Sequence, residues 1–322
     1  MKNTLKVIVT GACGFIGSHL TNYLRNKGYY VIAIDKKPAS KCFLKLKADE
    51  IWQLDLRDQI SWELFKHRKI DRIYHLAANM GGIGYITRVG APIMRDNTLM
   101  NINALEFARK NKVDRIFFSS SACVYPVYKQ TTPNVKPLKE EDAYPADPNE
   151  SYGWEKLYME KMMEAYAKDY GLNVRIARFH NIYGPYGDFE SERAKAPAAI
   201  CRKVALAKDG ESITIWGDGK QTRSFLYIDD CLRGIEMLMN SDFDKPVNIG
   251  SDRLVTIDEL ARIIIKISGK KLKIKHDLSK PQGVRGRNAD LTLVKKVLGW
   301  TPQISLEEGL RRTYQWILSQ LS

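Results

Sequence analysis

Leu5-Lys6-Val7-Ile8-Val9-Thr10-Gly11-Ala12-Cys13-Gly14-Phe15-Ile16-Gly17 decides the fold. A short apolar run of strand composition meets three glycines spaced G-x-x-G-x-x-G, and the helical pattern Ile16 to Arg25 follows at once. Glycines at a strand-to-helix turn let the backbone approach a pyrophosphate, while the helix start offers free N–H groups and a positive dipole end. Val31-Ile32-Ala33-Ile34-Asp35 is the next strand, and its acid lies 24 residues beyond Gly11. A carboxylate there accepts from ribose hydroxyls and repels a 2′-phosphate. The segment therefore reads as a dinucleotide site that prefers NAD to NADP, with Gly11, Gly14, Phe15, Ile16, Gly17 and Asp35 as its contacts.

Further strands are expected at Ile51 to Leu54, Arg72 to Leu76, Arg115 to Phe118 and Val174 to Arg178, with helical stretches between most of them. Continuous apolar strands alternating with helices define a Rossmann-type, doubly wound α/β architecture whose parallel sheet is covered on both faces. Asp55 follows the third strand, where it can reach the adenine or simply form a turn. His75-Leu76-Ala77-Ala78 follows the fourth, and Leu76, Ala77 and Ala78 are small enough for close cofactor approach. Beyond residue 180 the pattern loosens into loops, a strand Ile213 to Trp216, and helices beginning near Asp229 and Ile257. The expected division is an NAD-binding domain over 1-180, to which the chain returns near 222-245, and a smaller α/β substrate domain over 181-322. Ligands would lie in the cleft between them.

Composition bounds the function. With 322 residues and 44% hydrophobic content the chain can bury a large core. The net charge of +14 comes from lysines and arginines scattered among acids, not gathered in a basic arm. That argues for a soluble surface and against a nucleic-acid partner, and the excess can steer a polyanionic small molecule. Cys13, Cys42, Cys123, Cys201 and Cys231 are odd in number and lack paired metal-type spacing, so they read as reduced thiols of a cytoplasmic protein with no bound metal. Met1-Lys2-Asn3-Thr4 leads straight into a strand, and no apolar run reaches the ~18 residues of a membrane span.

The chemistry-bearing stretch is Ser119-Ser120-Ser121-Ala122-Cys123-Val124-Tyr125-Pro126, which follows a strand and puts a hydroxyl and a thiol two residues apart. Tyr152-Gly153-Trp154-Glu155-Lys156 comes some thirty residues later. A tyrosine four residues before a lysine shares one helix face with it, and the ammonium is expected to lower the phenol from about 10 toward working pH. Such a phenolate takes the proton of an alcohol while hydride leaves its carbon. The thiol adds an acid or base that a simple dehydrogenase does not need.

On these residues the chain resembles the extended short-chain dehydrogenases/reductases that act on nucleotide sugars. The likeness runs through the glycine turn, His75 to Ala78, Ser121, Tyr152 and Lys156, Arg178-Phe179-His180-Asn181-Ile182-Tyr183-Gly184-Pro185, and Trp216-Gly217-Asp218-Gly219-Lys220-Gln221-Thr222-Arg223-Ser224-Phe225. The chain looks closer still to one branch of the family, acting on GDP-hexoses, in Met80-Gly81-Gly82-Ile83-Gly84, Ser121-Ala122-Cys123-Val124-Tyr125-Pro126, Lys195-Ala196-Pro197-Ala198-Ala199 and Gly283-Val284-Arg285-Gly286-Arg287-Asn288.

The resemblance implies an isomerase in which Ser121 and Tyr152 bind the hexose 4-hydroxyl, Lys156 holds the nicotinamide ribose, and NAD oxidises C4. A C4 ketone acidifies the hydrogens on C3 and C5, and inversion then needs a base and an acid on opposite sides of the ring. Cys123 and Lys195 are implied in those roles, a thiol of pKa about 8.5 being lowered by a neighbouring cation. The implied substrate is GDP-mannose, and the implied products are GDP-L-galactose and, by C5 inversion alone, GDP-L-gulose. Gly81, Gly82, Ala122 and Ala196 would line the hexose, and Asn181, Lys203, Gln221, Arg223, Arg285 and Arg287 the nucleotide end, with Lys203, Arg223 and Arg287 as cationic contacts to the diphosphate. Family members commonly dimerise through helices that include the Tyr152 one, for which apolar Leu157 and Met163 leave room. Two other readings stay open: a nucleotide-sugar 4-epimerase, which needs no Cys123 and Lys195, and a non-catalytic NAD- or RNA-binding protein of this fold.

Overall fold

Val7, Ile8 and Val9 are fully buried because the strand they occupy lies in the middle of a parallel sheet with helices on both faces. The computed structural model describes residues 4–321, so Met1, Lys2 and Asn3, which lead into that strand, lie outside the described residues. The first half runs β1 (Lys6–Thr10), α1 (Phe15–Asn26), β2 (Tyr30–Asp35), β3 (Glu50–Gln53), α2 (Gln59–Glu63), β4 (Arg72–His75), the short α3 (Ile83–Ile86), α4 (Ala91–Lys110), β5 (Arg115–Ser121), α5 (Ser151–Tyr170) and β6 (Val174–Phe179). The second half runs β7 (Ile182–Tyr183), α6 (Ala196–Leu206), β8 (Ser212–Trp216), β9 (Thr222–Ser224), β10 (Leu226–Tyr227), α7 (Ile228–Asn240), β11 (Val247–Ile249), β12 (Leu254–Thr256), α8 (Ile257–Ser268), β13 (Lys273–Asp277), β14 (Gly286–Arg287), α9 (Thr292–Leu298) and α10 (Leu306–Leu321).

The main sheet has the order β11-β6-β5-β4-β1-β2-β3, with every pairing parallel. The chain winds outward from β1 in one direction through β2 and β3, then in the other from β4. That reversal opens a crevice at the carboxyl ends of β1 and β4, where an open α/β sheet binds ligands.

Strand pleating splits the apolar residues into two cores. Val7, Val9, Val31, Ala33 and Phe117 point to one face and pack with Leu20 and Leu24 of α1 and Leu232 and Ile235 of α7. Ile8, Ile32, Ile73, Ile116 and Phe118 point to the other and pack with Ala104 and Leu105 of α4 and Met159 and Met163 of α5.

After β6 the chain builds small accessory sheets, β12-β9-β14, β13-β8 and β10-β7, and returns to the main sheet through α7 and β11. Residues 247–249 therefore contribute an edge strand beyond the expected return at 222-245. Their run, Val247-Asn248-Ile249, is too short for periodicity to reveal. Two helix ends are written in local chemistry. Thr256 accepts from the Glu259 N–H and Glu259 reaches back to the Thr256 N–H, a reciprocal cap on α8, while Gly171 in the left-handed region stops α5.

Two expectations are corrected. Cys13 and Cys42 are joined as a disulfide and are not reduced thiols, because the glycine turn and the loop after β2 bring their Cα atoms to 5.1 Å across 29 residues of sequence. Leu157 and Met163 are not offered to a partner. Leu157 is 4% exposed in a small core behind the Ser121 turn, and Met163 is fully buried beneath the sheet. The solvent face of α5 instead carries Trp154 and Tyr158, 44% and 49% exposed, beside Met94 and Leu99 of α4 at 41% and 43%.

Candidate active site

Thr10 ends β1 and starts the site. Its Oγ1 accepts the N–H groups of Leu76 and Ala77, both at 3.1 Å, leaving the hydroxyl proton for His75 Nδ1 at 2.9 Å. His75 Nε2–H then donates to Asn101 Oδ1 at 2.9 Å, and Asn101 Nδ2 donates to Glu155 Oε1 at 2.7 Å. Burial pushes His75 down to about 4, so it is neutral, with one donor and one acceptor nitrogen as this chain of bonds requires. The network joins β1, β4, α4 and α5 beneath the crevice.

The glycine turn closes tightly over that base. Gly11 has φ +66°, and a Cβ on it would lie 2.8 Å from Ala77 N; a Cβ on Gly17 would lie 2.0 Å from Gly11 O. The turn thus has no side chain between backbone and cleft. Asp35 Oδ2 accepts the Cys13 N–H at 2.8 Å and Oδ1 the Lys37 N–H at 2.9 Å, so its carboxylate is fixed at the end of β2.

The resulting cleft has a volume of about 460 Å³. Gly11, Gly14, Phe15, Ile16 and Gly17 line it with Asp35 and Asp55, and so do Leu76, Ala77 and Ala78. A bare glycine cradle at a helix N-terminus and an acid anchored at the second strand's end fit the pyrophosphate and ribose of NAD. Asp55 is engaged by its neighbour, Arg57 Nε donating to both carboxylate oxygens at 2.9 and 3.0 Å, which holds its carboxyl below the ordinary range.

A second cavity of about 400 Å³ continues from the first, sharing Gly81, Ser121, Tyr152, Asn181 and Lys195 with it. Gly82, Ala122, Cys123 and Ala196 line it. Lys203, Gln221, Arg223 and Arg287 line it too. Arg285 does not line it: its guanidinium pairs with both carboxylate oxygens of Asp218 at 3.0 Å and with Gln282 Oε1 at 2.7 Å. Asn181 donates to Ser224 O at 2.8 Å and Lys203 to Thr214 O at 2.6 Å. Arg223, desolvated and close to the charges of Arg287 and Arg285, is pushed down to about 9. Among the described residues no carboxylate is bonded to Arg223 or Arg287, a surplus of positive charge suited to a diphosphate.

Lys156 lines neither cavity: it is 1% exposed, with Nζ 4.5 Å from the Phe118 ring centroid and 5.6 Å from that of Tyr152, which does line both. The expected lowering of the phenol is not found. Burial raises Tyr152 well above 10, the charges of Cys123 and Glu155 add to the rise, and only a hydrogen bond with Ser121 opposes it. The same burial pushes the Lys156 ammonium down, against the pull of Glu155 and Glu160.

Cys123 sits in the turn after β5, where its N–H donates to Ser121 Oγ at 3.1 Å. Burial is the largest single influence on the thiol and raises it. The Arg287 charge, the Ser121 and Arg287 hydrogen bonds and the Lys195 charge together outweigh burial, leaving the thiol below its ordinary value. Lys195, on the approach to α6, is lowered by burial against the opposing charges of Cys123 and Cys231. A thiol that ionises early and an ammonium that gives up its proton early face one cavity, as acid–base work on a bound ring needs.

Sequence reasoning missed the direct partner of that thiol: Arg287 Nη1 donates to Cys123 Sγ at 3.3 Å across 164 residues of chain. It also missed Gln130, whose Oε1 accepts from Arg287 Nε at 2.6 Å, and the His75–Asn101–Glu155 network. No spacing rule joins residues on separate elements, so no local signal marked them.

A dinucleotide crevice opening onto Ser121 and Tyr152, with Lys156 buried beside the Tyr152 ring, defines an NAD-dependent enzyme of the short-chain dehydrogenase/reductase type. The chain belongs to the NAD dependent epimerase/dehydratase family, whose sequence profile matches residues 7–250. It is 47% identical over 317 residues to GDP-mannose 3,5-epimerase 1 of Oryza sativa subsp. indica, covering 98% of this chain and 82% of the rice protein. Among solved structures it is similar to UDP-glucose 4-epimerase with UDP-glucose from Thermotoga maritima, with a TM-score of 0.88, 29% identity, and 99% and 100% of the two chains covered. UDP-glucuronic acid 4-epimerase from Bacillus cereus, in complex with UDP-glucuronic acid and NAD, has a TM-score of 0.83 and 29% identity, again covering 99% and 100%.

Proposed function

We propose that the protein epimerises GDP-mannose at C3 and C5 through a 4-ketone, forming GDP-L-galactose, with GDP-L-gulose as the product of C5 inversion alone. The observation that carries this reading is the presence of Cys123 and Lys195 on the cavity that Ser121 and Tyr152 also line. The similarity to the rice enzyme supports it.

In this reading the Ser121 hydroxyl and the Tyr152 oxygen hold the C4 hydroxyl, and Tyr152, as the phenolate that the positive charge of bound NAD would favour, receives its proton. Bound NAD supplies the acceptor and, at the end of the turnover, the donor of the C4 hydrogen. Lys156 orients the ribose next to Tyr152. Cys123 as thiolate withdraws the proton from the carbon beside the C4 carbonyl, and Lys195 as ammonium delivers one to the opposite face. Arg223 and Lys203 face the diphosphate. Residues 1-180, with the return through α7 and β11, form the cofactor-binding part, and 181-322 supply most of the nucleotide-sugar wall. The exposed apolar face of α4 and α5 supports a homodimer. A cytoplasmic setting is proposed on the nucleotide-sugar substrate and not on cysteine usage, Cys13 and Cys42 being paired. Among the described residues no helix is long and apolar enough to cross a membrane.

The test is NMR of products formed from GDP-mannose and NAD in deuterated water. Deuterium at both C3 and C5 of a new GDP-hexose is expected. Product without deuterium would replace this reading with a 4-epimerase, and unchanged substrate would point to another nucleotide sugar or a non-catalytic role.

A further inference from the structure

Gln130 is 1% exposed and has no place in the chemistry described above, yet it bonds through its amide and its backbone. Its Nε2 donates to the carbonyls of Tyr125 at 3.0 Å and Pro126 at 3.1 Å, which anchors the amide to the loop that follows Cys123. Its backbone carbonyl accepts the N–H groups of Arg285 at 2.9 Å and Gly286 at 3.3 Å, tying the same residue to the segment entering β14. With both amide protons directed at the loop, Oε1 faces the other way and accepts from Arg287 Nε at 2.6 Å. The far end of that guanidinium, Nη1, reaches Cys123 Sγ at 3.3 Å.

We infer that Gln130 is a positioning residue for the reaction, holding the Arg287 guanidinium against Cys123 so that the thiolate forms. The inference rests on the reading of Cys123 as the base. An amide suits the task because it orients the guanidinium without neutralising it, whereas a carboxylate at 130 would pair with Arg287 and withdraw its charge from the sulfur. Among the described residues Arg287 has no acidic hydrogen-bond partner, so its charge acts on the thiol, and among the influences that lower Cys123 the Arg287 charge is the strongest.

Alkylation of Cys123 by iodoacetamide against pH tests this on the whole protein without substrate, with mass spectrometry to locate the modified residue. The thiolate is the reacting form, so the rate follows thiol ionisation. Gln130→Met and Gln130→Glu should both move the midpoint up by about one pH unit, which is about tenfold slower alkylation well below the midpoint. An unchanged midpoint in both overturns the inference. If the buried substitutions do not fold, Arg287→Lys tests the same link from the cavity wall: it keeps a cation but loses the fork that spans Gln130 and Cys123, and its midpoint should also rise. A raised KM for the nucleotide sugar with an unchanged alkylation profile would show Arg287 to serve the diphosphate alone, and would overturn the inference as well. Because alkylation needs no turnover, failure of the epimerase reading leaves these midpoints measurable and is separately visible as absent deuterium exchange.

Discussion

The Cys123 N–H donates to Ser121 Oγ at 3.1 Å, so one hydroxyl caps the turn that carries the thiol and also faces the cavity where Tyr152 lies. In the proposed mechanism two steps of chemistry, oxidation at C4 and proton exchange beside it, thus share one three-residue turn. Separating them by substitution is straightforward because they use different side-chain atoms.

Cys123→Ala removes the thiol but leaves the Ser121 hydroxyl and the backbone N–H of the turn. Deuterium incorporation at C3 and C5 should fall about 10²- to 10⁴-fold, the usual contribution of a general base, while NAD affinity by calorimetry stays unchanged. Full retained exchange would remove Cys123 from the mechanism.

The pH profile should be a bell with both limbs displaced downward. The base must be thiolate, so the rate rises through a Cys123 pKa held below its ordinary value; the acid must be ammonium, so it falls through a Lys195 pKa held below 10.5. In Lys195→Met the descending limb set by the ammonium should vanish along with most of the rate. A kcat/KM profile of wild type and variant decides this, and a descending limb that persists unmoved in the variant assigns it elsewhere.

Asp35→Ala should weaken NAD and narrow the preference over NADP. The carboxylate accepts two backbone N–H groups, so its loss also strands those donors at a cost of about 1.5–3 kcal/mol each, some of it recovered by water. Calorimetry with both cofactors and a melting curve separate the two effects; an unchanged NAD to NADP ratio would exclude Asp35 as the discriminating group.

His75 makes the fold acid-sensitive. Its pKa is about 4 when folded against an ordinary value of 6.5, so the unfolded chain binds more protons between those values. Stability from this group is complete above pH 6.5, is lost as pH falls toward 4 and is flat below, a loss of about 3 kcal/mol. Urea midpoints of wild type and His75→Gln across that range should converge as pH drops; parallel curves would show that His75 is not the titrating group.

The proposed homodimer predicts that the wild type sediments as a dimer and that Trp154→Glu with Tyr158→Glu sediments as a monomer, since both rings lie on the solvent face of α5. A wild-type monomer would overturn the homodimer, and a dimer indifferent to the two acids would move its interface off this face.

The glycine turn, the acid at Asp35, the tyrosine–lysine pair and the succession of apolar strands were legible along the chain. Each is a local pattern: a strand has a two-residue period, a helix brings Tyr152 and Lys156 one turn apart, and a phosphate-binding turn needs glycine at fixed steps. What folding added joins residues remote in sequence. The Cys13–Cys42 disulfide, the edge strand at 247–249 and the Gln130–Arg287–Cys123 contact all join segments from different elements. Even the behaviour of Tyr152 followed this division. Its spacing from Lys156 was evident, but its pKa is governed by burial, and desolvation depends on what the whole fold packs around a ring.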